Sequence, residues 1–511
     1  MDFRSHVLFD EPSCDDYIRI AEEAANYIQS RRKETPHGLV WDVSDAWSGK
    51  AVWNDEISLY TGSAGIIHFF LQLDRVLQKT DSSYAESGMG IYKKDSLKAA
   101  QYIIWRWDHK RTLSKCFSPW AYTTGWAGAA SALLEVASTD PDDQSRMEEL
   151  RVVHEVADAI MADTALSKGT GTPDRLWSSY PGIVGDGGTI LFLLQASEQL
   201  NRSDLREFAI QAGRSYLDRG EKQPEGGVCY RAVDPAFFGY PQDYRDPNFP
   251  MGTAGIGFLL LRLYEVSGDP AFLKAEEGIP EYLKAVAVKS PDGKAALLPH
   301  ALPYRKNLFY LSYCHGPAGT ARYYYKRYLV RNHSADLAWA EKLAEGVVKA
   351  GAPEIHSRGF WYIHCFCCGT AGILNLFLSM YAATKDSKWL SYAKRCGRVL
   401  YGSAQRTQQS ALSGGRAESL YPGELADGLD TQSVQAAVQA SQETAHRTHS
   451  AFVTASWYMA FDRVSPSHVT APIGYYDGAA GIGSMLLELA GVMNGTFYAP
   501  RSIDDPFPRT L

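Results

Sequence analysis

Apolar residues recur along this chain with the spacing of helices, and strand-like alternation is rare. Two kinds of helical stretch take turns. One kind is amphipathic and charged, at 15–31, 95–107, 147–162, 204–217, 271–286, 335–350 and 388–400. In the first of these Tyr17, Ile20, Ala21, Ala24 and Ile28 form a single apolar stripe. The other kind is apolar all round and opens on a Gly-x-x-Gly motif. The motifs start at Gly62, Gly125, Gly182, Gly252, Gly316, Gly369 and Gly478. Helices with a polar face belong outside and helices without one belong inside. Their alternation therefore predicts two concentric layers: an all-α, seven-fold α/α toroid, or double-layered α/α barrel. Glycines at the inner helix starts let the loops turn sharply and the helices crowd together, and Ala in the third place of most motifs serves the same end.

A second regularity concerns the interior. Three residues beyond the second glycine stand His68, Ser131, Gly188, Phe258, Arg322, Asn375 and Ser484. Polar side chains at a shared place in apolar helices need partners or water, which predicts a wet lumen. Arg322 is placed to meet an anionic group there. The last interval, Gly369 to Gly478, is the longest. It holds a Gln-, Ser-, Ala- and Gly-rich stretch at about 403–448, read as a surface insertion within one domain spanning 1–511.

Composition narrows the setting. Of 511 residues, 45% are hydrophobic and 21% charged, which is ordinary for a globular protein with a large core. A net charge of -7 leaves no basic footprint for nucleic acid. No apolar run reaches the ~20 residues of a transmembrane segment, and the first residues lack a signal-peptide pattern. A cytoplasmic protein is expected. Eight cysteines, three of them within Cys365–Cys368, suit reduced thiols at a metal better than a disulfide framework.

The chemistry concentrates in two loops, Tyr-Leu-Ser-Tyr-Cys314-His315-Gly316 and His364-Cys365-Phe366-Cys367-Cys368-Gly369. Cys314 and Cys367 hold the same place before their glycines, and His315 matches Cys368. Three thiols at two equivalent loop ends suit a soft metal such as zinc.

With these loops and repeats, 58–481 resembles the lanthionine synthetase C-like family. That resemblance implies the toroid, one zinc ion per chain at the end of the barrel, and Cys314, Cys367 and Cys368 as its ligands, in a Cys-Cys-Gly variant where most members have Cys-His-Gly. Cys365 is then a neighbour. It also implies addition of a thiol, from a cysteine in a peptide or from glutathione, to a dehydrated serine or threonine. A separate dehydratase or kinase is the expected source of the dehydrated residue.

The chain departs from the family pattern at the proton carriers. Members that cyclise peptides carry Asp four residues before the third motif and His immediately before the fourth. Here those places hold Ser178 and Met251. His315, beside Cys314, becomes the first candidate proton carrier, with Tyr310, Arg322 and His68 behind it. Two functions follow as expectations: zinc-dependent thioether formation, or a zinc-containing thiol-binding or regulatory protein that has lost the chemistry. A glycosidase would need paired carboxylates across the lumen, for which the motif loops offer mainly Asp186 and Asp477.

Overall fold

The computed structural model describes residues 11–45, 55–86, 88–110, 113, 118–163, 176–178, 180–231, 241–409, 452–460, 469–498 and 502–511. Its helices are α1 (Cys14–Gln29), α2 (Ser63–Thr80), α3 (Ser82–Glu86), α4 (Ile91–Asp108), α5 (Trp126–Ala137), α6 (Asp143–Ala162), α7 (Asp186–Gln199), α8 (Ser203–Gly213), α9 (Thr253–Ser267), α10 (Pro270–Glu276), α11 (Ile279–Val286), α12 (Pro317–Arg331), α13 (Ser334–Lys349), α14 (Thr370–Thr384), α15 (Ser387–Ser403) and α16 (Ala479–Met493).

The inner helices close on themselves. α2 packs on α5, α5 on α7, α7 on α9, α9 on α12, α12 on α14 and α14 on α16, and α16 returns to α2. Outside them lie α4 on α2, α6 on α5, α8 on α7, α10 and α11 on α9, α13 on α12, α15 on α14, and α1 on α16. The arrangement is an α/α toroid. The strands among the described residues are short and pair only in twos.

Each inner helix starts directly after a glycine with no side-chain cap, and that glycine is extended in every case but Gly185 before α7. The orphan N–H groups of a helix start need other partners. Here the loop's own carbonyls provide them: Ser63 N donates to Glu56 O at 2.8 Å, Trp126 N to Pro119 O at 2.8 Å, Thr370 N to Ile363 O at 2.8 Å and Ala479 N to Pro472 O at 3.0 Å.

Two expectations are corrected. The glycine that caps α7 is Gly185, so the third motif is Gly185–Gly188 rather than Gly182–Gly185. The residue that belongs in the lumen is then Leu191, not Gly188, and the place four before the motif is Pro181, not Ser178. The loop signature Gly-Ile-Val-Gly mimics the motif but lies just ahead of it. The charged stretch 271–286 is also not one helix. It breaks at Gly278, where an added Cβ would press on Val228 and where the carbonyl accepts Val228 N at 2.9 Å. The insertion at 403–448 is described only to residue 409. Gln405–Gln409 pairs antiparallel with Phe452–Ser456, and the rest of it lies outside the described residues, as does Cys116.

Candidate metal centre and lumen

The loops before the inner helices are tied into a belt. At the place two before the first glycine, Cys314 N donates to Cys367 O at 3.0 Å and Cys367 N to Tyr476 O at 2.8 Å. Tyr476 N then donates to Tyr60 O at 3.0 Å, Tyr60 N to Thr123 O at 2.8 Å and, further round, Ile183 N to Pro250 O at 2.8 Å. One register thus runs from repeat to repeat. It brings Cys314 and Cys367 side by side, with Cys368 one place further along. Parallel pairing of Phe309–Tyr310 with Phe360–Trp361 holds the same two loops together from behind.

The three thiol sulfurs lie within 4.8 Å of one another. Cys314 Sγ is 3.1 Å from Cys368 Sγ, which is 3.5 Å from Cys367 Sγ. Sulfurs around one tetrahedral zinc, at ~2.3 Å from it, stand roughly 3.8 Å apart, so the donor set fits a thiophilic cation. Cys365 Sγ instead accepts from Cys368 N at 3.4 Å. Hydrogen bonds from Cys314 and Cys368 lower the Cys367 thiol. Burial, then the contact with Cys367, pushes Cys314 up, and contacts with Cys314, Cys365 and Cys367 push Cys368 up. Three thiolates in one buried cluster need a cation among them.

Proton carriers stand on both sides of the thiols. His315 is 8% exposed, and its Nδ1 approaches Asp246 Oδ2 at 2.7 Å, an ion-pair distance with angles outside those of a hydrogen bond. Its ring stacks on His300 at 4.1 Å and meets Tyr310 edge-on at 5.4 Å. Asp246 is fixed in turn by Asn248 N, which donates to Oδ1 at 2.8 Å. Neither Asp246 nor His300 stands out in the sequence, because each reaches His315 from outside its loop. In the next repeat round from the cysteine loop, Asp477 holds the place that His315 and Cys368 hold in theirs. Its two carboxylate oxygens are buried without a hydrogen-bond partner. Burial, with the Cys367 charge adding to it, pushes its carboxyl up to about 8.

Ser178 has a different task from acid–base chemistry. Its Oγ donates to Asp186 Oδ1 at 2.8 Å and accepts from Tyr180 N at 3.1 Å. Burial outweighs those hydrogen bonds and pushes the Asp186 carboxyl up to about 7. Met251 sits in the fourth repeat at the place His315 occupies in the fifth.

Residues just ahead of the belt roof the lumen. Phe249, Tyr313, Phe366 and Tyr475 pack ring against ring with one another and with Tyr476 of the belt, with centroids 5.4–5.9 Å apart. Inside lies a cavity of about 460 Å³ lined by His68, Arg75, Tyr122, Ser131, Glu135 and Ser502 among others. A second, of about 350 Å³, is lined by Leu191, Phe258, Arg262, Lys326 and Asp505 among others. His68 Nδ1 is 2.8 Å from Glu135 Oε2. Ser484 is fully buried and donates to Gln72, outside both linings. Arg322 meets the segment 502–511 instead of open space, and Asn375 meets Arg322: Arg322 Nη1 donates to Asp504 Oδ1 at 2.6 Å and Nη2 to Asn375 Oδ1 at 3.1 Å.

Comparison with known proteins places this geometry. A family model described as Lanthionine synthetase C-like protein matches residues 251–426, which hold both cysteine loops. No curated protein matches the chain. Among solved structures, Nisin cyclase superposes with a TM-score of 0.57 at 14% identity, covering 94% of this chain and 94% of that one. An alpha-1,2-mannosidase from Trichoderma reesei gives 0.47 at 12% identity, over 76% of this chain and 84% of that one.

Proposed function

We propose that the chain is a lanthionine synthetase C-like protein, as the family match over 251–426 supports, that it binds one zinc ion through Cys314, Cys367 and Cys368, and that it forms thioethers. The reaction adds the thiol of a peptide cysteine or of glutathione to a dehydroamino acid made by a separate dehydratase or kinase. The observation that carries this reading is the three-thiol cluster flanked by His315–Asp246 on one side and Asp477 on the other.

Bound zinc would supply the positive charge that keeps its sulfur ligands, and an incoming thiol, ionised near neutral pH. The remaining work falls to the chain. As the sulfur–Cβ bond forms, the alkene electron pair moves toward Cα and its carbonyl, and a proton must reach Cα. With Asp246 against Nδ1, the other nitrogen of His315 is the one that exchanges protons. Asp477, whose carboxyl is pushed up by burial, is a second donor. These groups take over where Met251 replaces the family's histidine.

The test combines metal analysis with a thiol-addition assay on a dehydroalanine peptide. About one zinc per chain is expected, most of it lost in Cys368→Ala. A positioned general acid or base contributes roughly 100- to 10,000-fold, so His315→Ala should slow addition within that range while zinc content stays full. Asp246→Asn should cost less and shift the pH profile. Full zinc in Cys368→Ala, or an unchanged rate in His315→Ala, overturns the assignment. Met251 favours the second reading, a thiol-binding or regulatory protein, and that reading wins if the zinc-loaded chain binds glutathione but adds no thiol.

A further inference from the structure

The stretch 502–511 lies inside the ring as a bound peptide would. It has no helix or strand, and Pro506 and Pro508 give it two residues without an N–H and with φ preset near the extended range. Side chains hold it. Asp504, 2% exposed, takes Arg322 on Oδ1 and the Tyr313 hydroxyl on Oδ2. Phe507 stacks on Tyr325 at 4.4 Å. Arg509 Nη2 reaches Asp505 at 3.0 Å, and its Nη1 lies 3.5 Å from Glu488 on α16. At the far end of α14, Lys385 Nζ donates to Thr510 O at 3.0 Å.

The groups that hold Asp504 belong to the repeated lumen position and to the aromatic roof. Arg322 and Asn375 are the α12 and α14 members of the series that begins with His68 and Ser131. Those last two face the larger cavity, and Ser502 lines both cavities. Arg322 is also incompletely satisfied: its Nε is buried without a partner. Its guanidinium lies 4.8 Å over the Tyr313 ring, and Tyr313 neighbours Cys314. A buried guanidinium that receives a carboxylate beside aromatic faces is a carboxylate-recognising site.

We propose that the lumen beneath the thiol loops is a binding site for an extended acidic peptide, and that the chain's own 502–511 stretch occupies it as an internal ligand. The recognised features are a carboxylate at Arg322 and Tyr313, with Asn375 orienting the guanidinium, and an aromatic side chain three residues later on Tyr325. The inference goes beyond the thioether reading, and its test has no metal or thiol readout, so either can fail alone.

The probe is a fluorescein-labelled peptide, Ser-Ile-Asp-Asp-Pro-Phe-Pro-Arg-Thr, with a control in which its first Asp is Asn. Binding is read by fluorescence polarisation, and release of 502–511 by amide exchange. All proteins are the full chain. Asp504→Asn with Phe507→Ala should speed exchange in 502–511. It should also bind the acidic peptide at least about 10-fold more tightly than the natural chain does, since an intramolecular occupant competes at an effective concentration in the millimolar range. The same variant should prefer the acidic peptide over the control by about 10-fold, and Arg322→Gln should abolish that preference. Release of 502–511 without peptide binding, or equal binding of the two peptides, overturns the site. Exchange as slow as in the natural chain overturns the internal ligand. Asp504→Asn alone is isosteric and keeps the Phe507 stack. It should move both readouts in the same direction by a smaller factor, and no movement there overturns the proposal even where the double variant does not fold.

Discussion

Cys367 and Cys368 become partners of Cys314 because two neighbouring repeats present the same loop position and the belt of backbone hydrogen bonds sets them in register. That much was legible in the residues, since matching distances to a glycine survive folding. Asp246 was not legible as a site residue, because it reaches His315 from the preceding repeat and nothing local marks it. Asp477 stood out as a motif-loop carboxylate, but its place beside the thiols depends on the next repeat round the ring. Burial acts on carboxyls away from the thiols too. Glu149 on α6 is 2% exposed, and its Oε2 has no partner. Burial first, then the charge and hydrogen bond of Asp140, push its carboxyl from 4.5 up to about 8. The folded state therefore binds more protons than the unfolded one across that window, and stability falls as pH rises through it. Glu149→Gln keeps the shape and removes the ionisation. It should leave stability unchanged at pH 4 and raise it by on the order of 3 kcal/mol at pH 9, measured by denaturant unfolding at both pH values.

At the scale of elements, the period of apolar residues predicted nearly every helix, because an inner helix buried all round and an outer helix buried on one face differ in composition. The misses have physical causes. The helix expected over 271–286 broke where Gly278 must approach Val228, a tertiary demand that periodicity does not record. The third motif was displaced because its loop is one residue shorter: Asp186 N bonds back six residues to Tyr180 O, where the loops before α2, α5, α9, α14 and α16 bond back seven. The second glycine of a motif has a specific task. A Cβ at Gly319 would fall inside the contact distance of the Tyr313 carbonyl and 3.0 Å from Phe249 Cβ of the preceding loop. Phe249 and Tyr313 both belong to the roof, so the glycine sets how closely adjacent loops stack. Overpacking of this kind costs about 1–3 kcal/mol. Gly319→Ala should lose that much stability and should lower zinc content as well, because the strain lands on the loop that carries Cys314. An alanine protein with unchanged unfolding and full metal would show that the loops tolerate looser stacking.

For the whole molecule, closure was predictable from the count of repeats, but what fills the ring was not. The lumen positions read as polar on an open cavity. On α12 Arg322 instead meets 502–511, a segment whose partners lie far away in sequence, and Asn375 on α14 meets Arg322. The ring also has to be held shut at its loops, and there a metal at the thiols would act on global stability. Its ligands come from two successive repeats, so a bound ion joins the loop before α12 to the loop before α14. An ion that binds only the folded chain stabilises it by RT ln(1 + [L]/Kd), about 4 kcal/mol when the free ion exceeds Kd a thousandfold. Removing zinc with a chelator at neutral pH should therefore lower the thermal midpoint of the natural chain by several degrees. Restoring zinc should return it. The cluster needs ionised thiols, so the gain should shrink as pH falls and protons compete for the sulfurs. In Cys314→Ala, which removes the only ligand from the loop before α12, the remaining pair comes from one loop and joins nothing. Chelation should then move the midpoint by well under half as much. Equal shifts in the two proteins would mean that the metal sits elsewhere and that Cys314 is not part of its site.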